Sequence, residues 1–209
     1  MPTPSIHAFA EKVAVVTDAA DPVGKAVAIQ LALQGAYVVV GCSDPEARGA
    51  LKELSDIGTL TSVVPTSKGS PDSLNDVFSA AASTFGRIDL LTVVGAAGSQ
   101  PVASALQPAI ALLETRPKPR VVFYDRVQRE RDSDGLLTIV EHFASELPGK
   151  FRINGVVAGE PLKMAERSYD AELVPAREGR FPDEVARIIV FLLSGEASAI
   201  HGQVIKSGK

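Results

Sequence analysis

Thr17-Asp18-Ala19-Ala20-Asp21-Pro22-Val23-Gly24 follows a short apolar run, Val13-Ala14-Val15-Val16, and leads into a helical one ending near Gln34. In a strand, tight turn and helix of this kind, the helix presents free N–H groups and its positive dipole end to whatever lies above the strand. The anion most often held there is a pyrophosphate, which glycines in the turn allow to approach the backbone. Here the first two glycine positions carry Asp18 and Pro22. A carboxylate at Asp18 is expected to repel phosphate, and Pro22 has no N–H to donate. Gly24 is kept, where a missing Cβ permits close helix–sheet packing. The turn retains a fold signal and loses a ligand signal.

Outward from this turn, short β-branched runs alternate with amphipathic helical ones. That alternation predicts a doubly wound α/β fold, a parallel sheet covered on both faces, in a single domain over residues 1–209. Strands are expected near 12–17, 36–41, 59–65, 88–94, 119–124, 151–157 and 202–206. Helices are expected near 23–34, 44–55, 71–85, 102–114, 134–147 and 182–194. Asp44-Pro45 and Ser70-Pro71 place a cap residue before a proline at the first helical position. Gly35 and Gly86 stand where helices should end. A ligand would lie beyond the C-terminal strand ends.

Four segments together resemble the short-chain dehydrogenase/reductases, whose fingerprint after the first strand is T-G-x-x-x-G-x-G. Glu11 to Val40 is similar to that family's first β-α-β unit. Gly86-Arg87-Ile88-Asp89-Leu90-Leu91 resembles the approach to its fourth strand, and Arg152-Ile153-Asn154-Gly155-Val156-Val157-Ala158-Gly159 its R-V-N-x-V-x-P-G segment. Pro182 to Ser194, followed by His201-Gly202-Gln203-Val204, resembles its last helix and strand. The resemblance implies a Rossmann-like sheet of about seven strands and carbonyl reduction with a nicotinamide cofactor. One departure is length: a single short helical pattern lies between Gly98 and Arg120. Members of the family usually spend roughly twice that between their fourth and fifth strands.

The chemistry implied by the resemblance is missing residue by residue. The family uses a tyrosine acid and a lysine one helical turn later, which holds the nicotinamide ribose. Counted back from Ala144-Ser145-Glu146-Leu147, Arg129 falls at the tyrosine position and Ser133 at the lysine position. Arg129 stays charged and cannot act as the acid. Tyr124 reads as a strand-end aromatic with its hydroxyl at the surface, and neither Tyr37, Tyr124 nor Tyr169 has a lysine four residues on. At the ribose position after the second strand stand Cys42 and Ser43, with Asp44 next to them read as a helix cap. Thr66 or Ser67 aligns with the adenine-contacting aspartate, and the family's N-N-A-G segment becomes Val93-Val94-Gly95-Ala96 or, in a shifted register, Gly95-Ala96-Ala97-Gly98, without the asparagines in either. Asp18, Pro22, Gly24, Cys42 and Ser43 are thus degenerate cofactor positions, and no cofactor is expected.

The 209 residues are 45% hydrophobic and 22% charged, enough for one large core. A net charge of -4 gives no electrostatic reason to expect nucleic acid or an anionic membrane. Arg116, Lys118 and Arg120 read as a solvated turn. Cys42 is the single cysteine, and His7, His142 and His201 lack metal-ligand spacing, so no metal is expected. Met1-Pro2-Thr3-Pro4 has no charged or apolar leader character, which makes the cytoplasm the expected location. Apolar faces at Leu136, Leu137, Ile139, Val140 and Phe143, and at Ile188, Ile189, Phe191 and Leu192, suggest a dimer or tetramer. The chain resembles the inactive subunit of hetero-oligomeric acyl-thioester dehydrogenases, which implies an active short-chain dehydrogenase partner, with a 3-hydroxyacyl or 3-oxoacyl thioester as its substrate. Two alternatives stand beside this: an active oxidoreductase with displaced residues, using Tyr124 with Lys118 or Lys150, and a non-catalytic ligand sensor.

Overall fold

Uninterrupted valine runs bury both of their faces, so the strands that carry them can only lie between two helical layers. The computed structural model, which describes residues 8–51, 61–67, 71–96, 106–127, 132–147, 149–159 and 181–207, has that arrangement. Seven strands form one sheet: β1 (Val13–Val16), β2 (Tyr37–Cys42), β3 (Thr61–Pro65), β4 (Leu90–Val94), β5 (Arg120–Val127), β6 (Arg152–Gly159) and β7 (Val204–Ser207). All pair in parallel, in the order β3-β2-β1-β4-β5-β6-β7. The order reverses between β1 and β4, where the strand ends open a crevice.

The helices are α1 (Pro22–Leu33), α2 (Pro45–Ala50), α3 (Pro71–Phe85), α4 (Gln107–Glu114), α5 (Asp132–Glu146) and α6 (Phe181–Leu193). One core layer joins α1 and α6 to the sheet through Val23, Val27, Leu31, Val185, Ile189 and Leu192. The opposite layer joins α3, α4 and α5 through Val77, Phe78, Ala109, Leu113, Leu136, Val140 and Phe143. Each valine, leucine, isoleucine or phenylalanine among them contributes about 1.5–3 kcal/mol by leaving water. The expected apolar stripes therefore serve the sheet first. Leu136, Val140, Ile189 and Leu192 are buried, and Leu137 and Phe191 are the members of the two stripes that stand exposed.

Asp89, at the N-terminal edge of the sheet, ties strands together. Its Oδ2 accepts the Val13 backbone N–H at 2.9 Å, and Arg87 and Arg116 reach its two oxygens at 3.3 and 3.0 Å. Arg116 is thus an ion-pair partner rather than part of a solvated turn. Arg120 leaves that turn too, donating to the Leu193 carbonyl at 2.5 Å. Arg152 donates to the carbonyls of Leu192 and Ser194, so two guanidinium groups close the C-terminal end of α6. Burial lowers the pKa of both arginines, and their mutual repulsion lowers that of Arg152 further.

Between β4 and β5 the described residues hold one helix, the eight-residue α4, in keeping with the short sequence there. Among the described residues no helix is long and apolar enough to cross a membrane.

Candidate nucleotide-binding cleft

Thr17 ends β1 with its hydroxyl accepting the Val94 backbone N–H at 2.9 Å, which locks β1 to β4 at the switch point. The turn beyond it is equally constrained. Ala19 donates to the Gly41 carbonyl at 2.7 Å. A Cβ on Gly24 would lie 2.0 Å from the Asp18 carbonyl oxygen, so only glycine lets α1 sit this low on the sheet. Gly95, after β4, has φ +75° and open space where a Cβ would point. The strand ends, the turn and these two glycines outline a cleft above β1, β2, β4 and β5.

Asp18 does not point at the N-terminus of α1. Its Oδ1 accepts the Ala20 N–H at 2.9 Å and the Ser43 N–H at 3.4 Å. The Ser43 hydroxyl lies 3.3 Å from Oδ1 and 3.1 Å from Oδ2. The carboxylate therefore sits on the end of β2. Asp21 takes the place expected for a phosphate. It is the N-cap of α1, and its Oδ1 accepts the Val23 N–H at 2.8 Å and the Gly24 N–H at 3.3 Å. Pro22 occupies the first helical position, where its missing N–H leaves nothing unsatisfied. The Asp-Pro pair that marks a helix start at Asp44-Pro45 recurs at Asp21-Pro22 and could have revealed this cap.

Across the cleft, Arg126 Nη2 lies 3.8 Å from Asp21 Oδ2, linking β5 to the start of α1. Spacing gave no signal of this pair, which joins residues more than a hundred positions apart. Tyr124 is not at the surface. Strand β5 continues to Val127, and Tyr124 is 1% exposed within the α1–α6 core layer. Its hydroxyl makes no well-formed hydrogen bond. Burial, with the nearby Asp21 carboxylate adding to it, pushes its pKa up to about 12, and Arg126 opposes both. A phenol so placed is a poor proton donor.

Cys42 is buried, with its thiol donating to the Asp44 carbonyl at 3.2 Å. Burial raises its pKa; the Asp44 carbonyl and the Arg48 cation oppose this, while the Asp18 charge reinforces it. Asp44 caps α2, accepting the Glu46 N–H at 2.8 Å. Arg129 lies outside the described residues, as do Tyr169 and His7, and Ser133 lies in the first turn of α5. Lys118 and Lys150 stand exposed at the opposite, N-terminal edge of the sheet, where Lys150 pairs with Glu114 at 3.3 Å. They are not brought to Tyr124. His142 is exposed beside Phe143, and His201 accepts the Ile153 N–H at 3.2 Å. No group of three metal-ligating side chains occurs among the described residues.

Two features of this cleft are of the kind that receives the adenosine end of a dinucleotide. A carboxylate with spare acceptor capacity stands at the end of β2, and glycine holds α1 close to the strand ends. At the pyrophosphate end the helix N–H groups are present, and Asp21 competes for them.

Residues 12–113 match the family model for short chain dehydrogenases. The 3-oxoacyl-[acyl-carrier-protein] reductase FabG of Thermotoga maritima is 25% identical over 93% of this chain and 95% of its own length. A 7α-hydroxysteroid dehydrogenase complexed with NADH and 7-oxo glycochenodeoxycholic acid superposes with a TM-score of 0.77 at 21% identity, covering 100% of this chain and 97% of the other. The Pseudomonas aeruginosa RhlG/NADP active-site complex gives 0.73 at 19% identity, covering 99% and 98%. Residues 12–113, just under half of this chain, thus resemble short chain dehydrogenases, and the chain as a whole has the fold of these solved structures. The matches also correct one expectation. Structures of this fold hold NADH and NADP, which points to a nicotinamide cofactor where the sequence suggested none. The physical reason is side-chain direction: Asp18, the residue expected to repel phosphate, is turned onto Ser43.

Proposed function

We propose that this chain binds a nicotinamide dinucleotide without carrying out the family's carbonyl reduction, and that it serves as the non-catalytic subunit of an oxidoreductase assembly. The observation that carries this is Tyr124. It is the tyrosine that β5 brings to the cleft, it is buried with its pKa pushed up to about 12, and no lysine follows one helical turn later. The acid and the ribose-holding lysine that the family pairs on one helix therefore have no counterpart at Tyr124. The cofactor, when bound, would supply hydride chemistry. This chain's own residues offer recognition: Asp18 and Ser43 at the ribose, Gly24 and the α1 N-terminus at the phosphates. The relatives' names give support for the oxidoreductase context, and an acyl-thioester-active partner is the companion we infer.

Fluorescence titration of the purified chain with NADH and NADPH tests the first half. Saturable binding is expected, with no cofactor oxidation when acetoacetyl thioester or a simple ketone is added. Turnover by the purified chain would overturn the non-catalytic assignment. Affinity purification from the native cell tests the second half: a companion chain with tyrosine and lysine four residues apart is expected, and recovery of homo-oligomers alone would refute the mixed assembly.

A further inference from the structure

In nicotinamide-binding sheets of this type, an acidic residue about twenty positions beyond the first turn, at the end of the second strand, accepts a hydrogen bond from the adenosine ribose. Cys42 and Ser43 stand there in this chain and neither is acidic. The structure nevertheless places a carboxylate at that point, delivered from the other side. Asp18, in the first turn, reaches across to the end of β2 and rests on the Ser43 hydroxyl at 3.1 Å through Oδ2 and on the Ser43 N–H at 3.4 Å through Oδ1. Oδ1 accepts two backbone N–H groups and lies farther from the Ser43 hydroxyl than Oδ2 does, whereas Oδ2 has that one hydroxyl as its donor and keeps acceptor capacity for a ribose hydroxyl. Asp18 is half-buried, so the charge is fixed in direction and still reaches the cleft.

We propose that Asp18, seated on Ser43, is the ribose-binding carboxylate of this chain and makes it select the dinucleotide that lacks a 2′-phosphate. This rests on the nucleotide binding proposed above. A 2′-phosphate entering beside Ser43 would meet a carboxylate within a few ångströms, and like charges at that range discriminate strongly. One cation argues for the opposite preference. Arg48 on α2 lies close enough to act on the Cys42 thiol, and its Nε is buried without a hydrogen-bond partner. Asp18 outranks it because its carboxylate is bonded to the residue at the ribose position itself.

Calorimetric titration of the wild-type chain and of Asp18→Asn with NADH and NADPH decides between them, with 5′-AMP and 2′,5′-ADP as probes of the adenosine end alone. NADH is expected to bind at least about tenfold more tightly than NADPH, a difference that Asp18→Asn narrows to within about threefold, mainly by improving NADPH. The two adenosine probes are expected to show the same order and the same change. Asparagine keeps an acceptor for Ser43, and an unchanged melting temperature will show that the variant folds. Equal or tighter NADPH binding in the wild type would overturn the assignment and hand the position to Arg48. An unchanged ratio in Asp18→Asn would overturn it as well. If neither dinucleotide binds at millimolar concentration, the proposed function falls together with the assignment.

Discussion

Two aspartates three residues apart do different work because their side chains leave the turn in opposite directions. Asp18 goes to β2; Asp21 caps α1 and faces Arg126. Asp21→Asn keeps a cap of similar strength and removes the charge that competes with a pyrophosphate. NADH affinity is expected to rise several-fold, equivalent to about 1 kcal/mol, as read by fluorescence titration. Tyr124 gives a pH-dependent test. Below about pH 10 the phenol is protonated in folded and unfolded chains alike, so it adds no pH dependence. Between there and its folded-state pKa of about 12, the unfolded chain releases a proton that the folded chain retains, and stability falls. Over that interval the loss attributable to Tyr124 is about 2–3 kcal/mol. Chemical denaturation of wild type and Tyr124→Phe at pH 9 and 11.5 should show the smaller decline in the variant, with no loss of stability at pH 9.

Elements are held to one another by a few polar anchors outside the two apolar layers. Thr17 joins β1 to β4, Arg120 and Arg152 close α6, and Asp89 collects the start of β1 together with Arg87 and Arg116. Asp89 is 6% exposed, so its charge is held by these partners rather than by water. Asp89→Asn keeps the shape, weakens the Val13 bond and leaves the two guanidinium groups without their counter-charge. It should cost about 2–3 kcal/mol in urea unfolding, with the cleft at the other edge of the sheet unaffected in NADH titration. The resemblance read from Gly86 to Leu91 included Asp89 without revealing this role, because its partners come from β1 and from the turn before β5.

At the scale of the whole molecule, one sheet positions the cleft, and among the described residues Leu33, Leu137 and Phe191 are the large apolar side chains that stand exposed. Leu137 on α5 and Phe191 on α6 are 40% and 41% exposed, on opposite layers, with their neighbours buried beneath them. If the chain assembles through those helices, Leu137→Asp and Phe191→Asp should each reduce the mass seen by light scattering while melting within a few degrees of the wild type. A monomeric wild type at tens of micromolar would remove this basis for the proposed assembly.

Residue order alone determined the architecture. Valine runs separated by amphipathic helical stretches admit a parallel sheet between two helical layers and little else, and proline, glycine and aspartate mark its turns through local backbone preferences. That no tyrosine of this chain has a lysine four residues on was equally legible, since such a spacing is read along the chain. The direction of each cleft side chain was not. Whether Asp18 faces a phosphate or the end of β2 depends on Ser43, twenty-five positions away, and the Asp21–Arg126 pair exists because β5 runs past Tyr124 to Val127 beside the switch point. Tyr124 was placed at the surface for the same reason, since the length of β5 depends on its pairing with β6 through Val127 and Gly159. Charge at a position can be read from the chain; where that charge points is decided by the neighbours that tertiary folding brings to it.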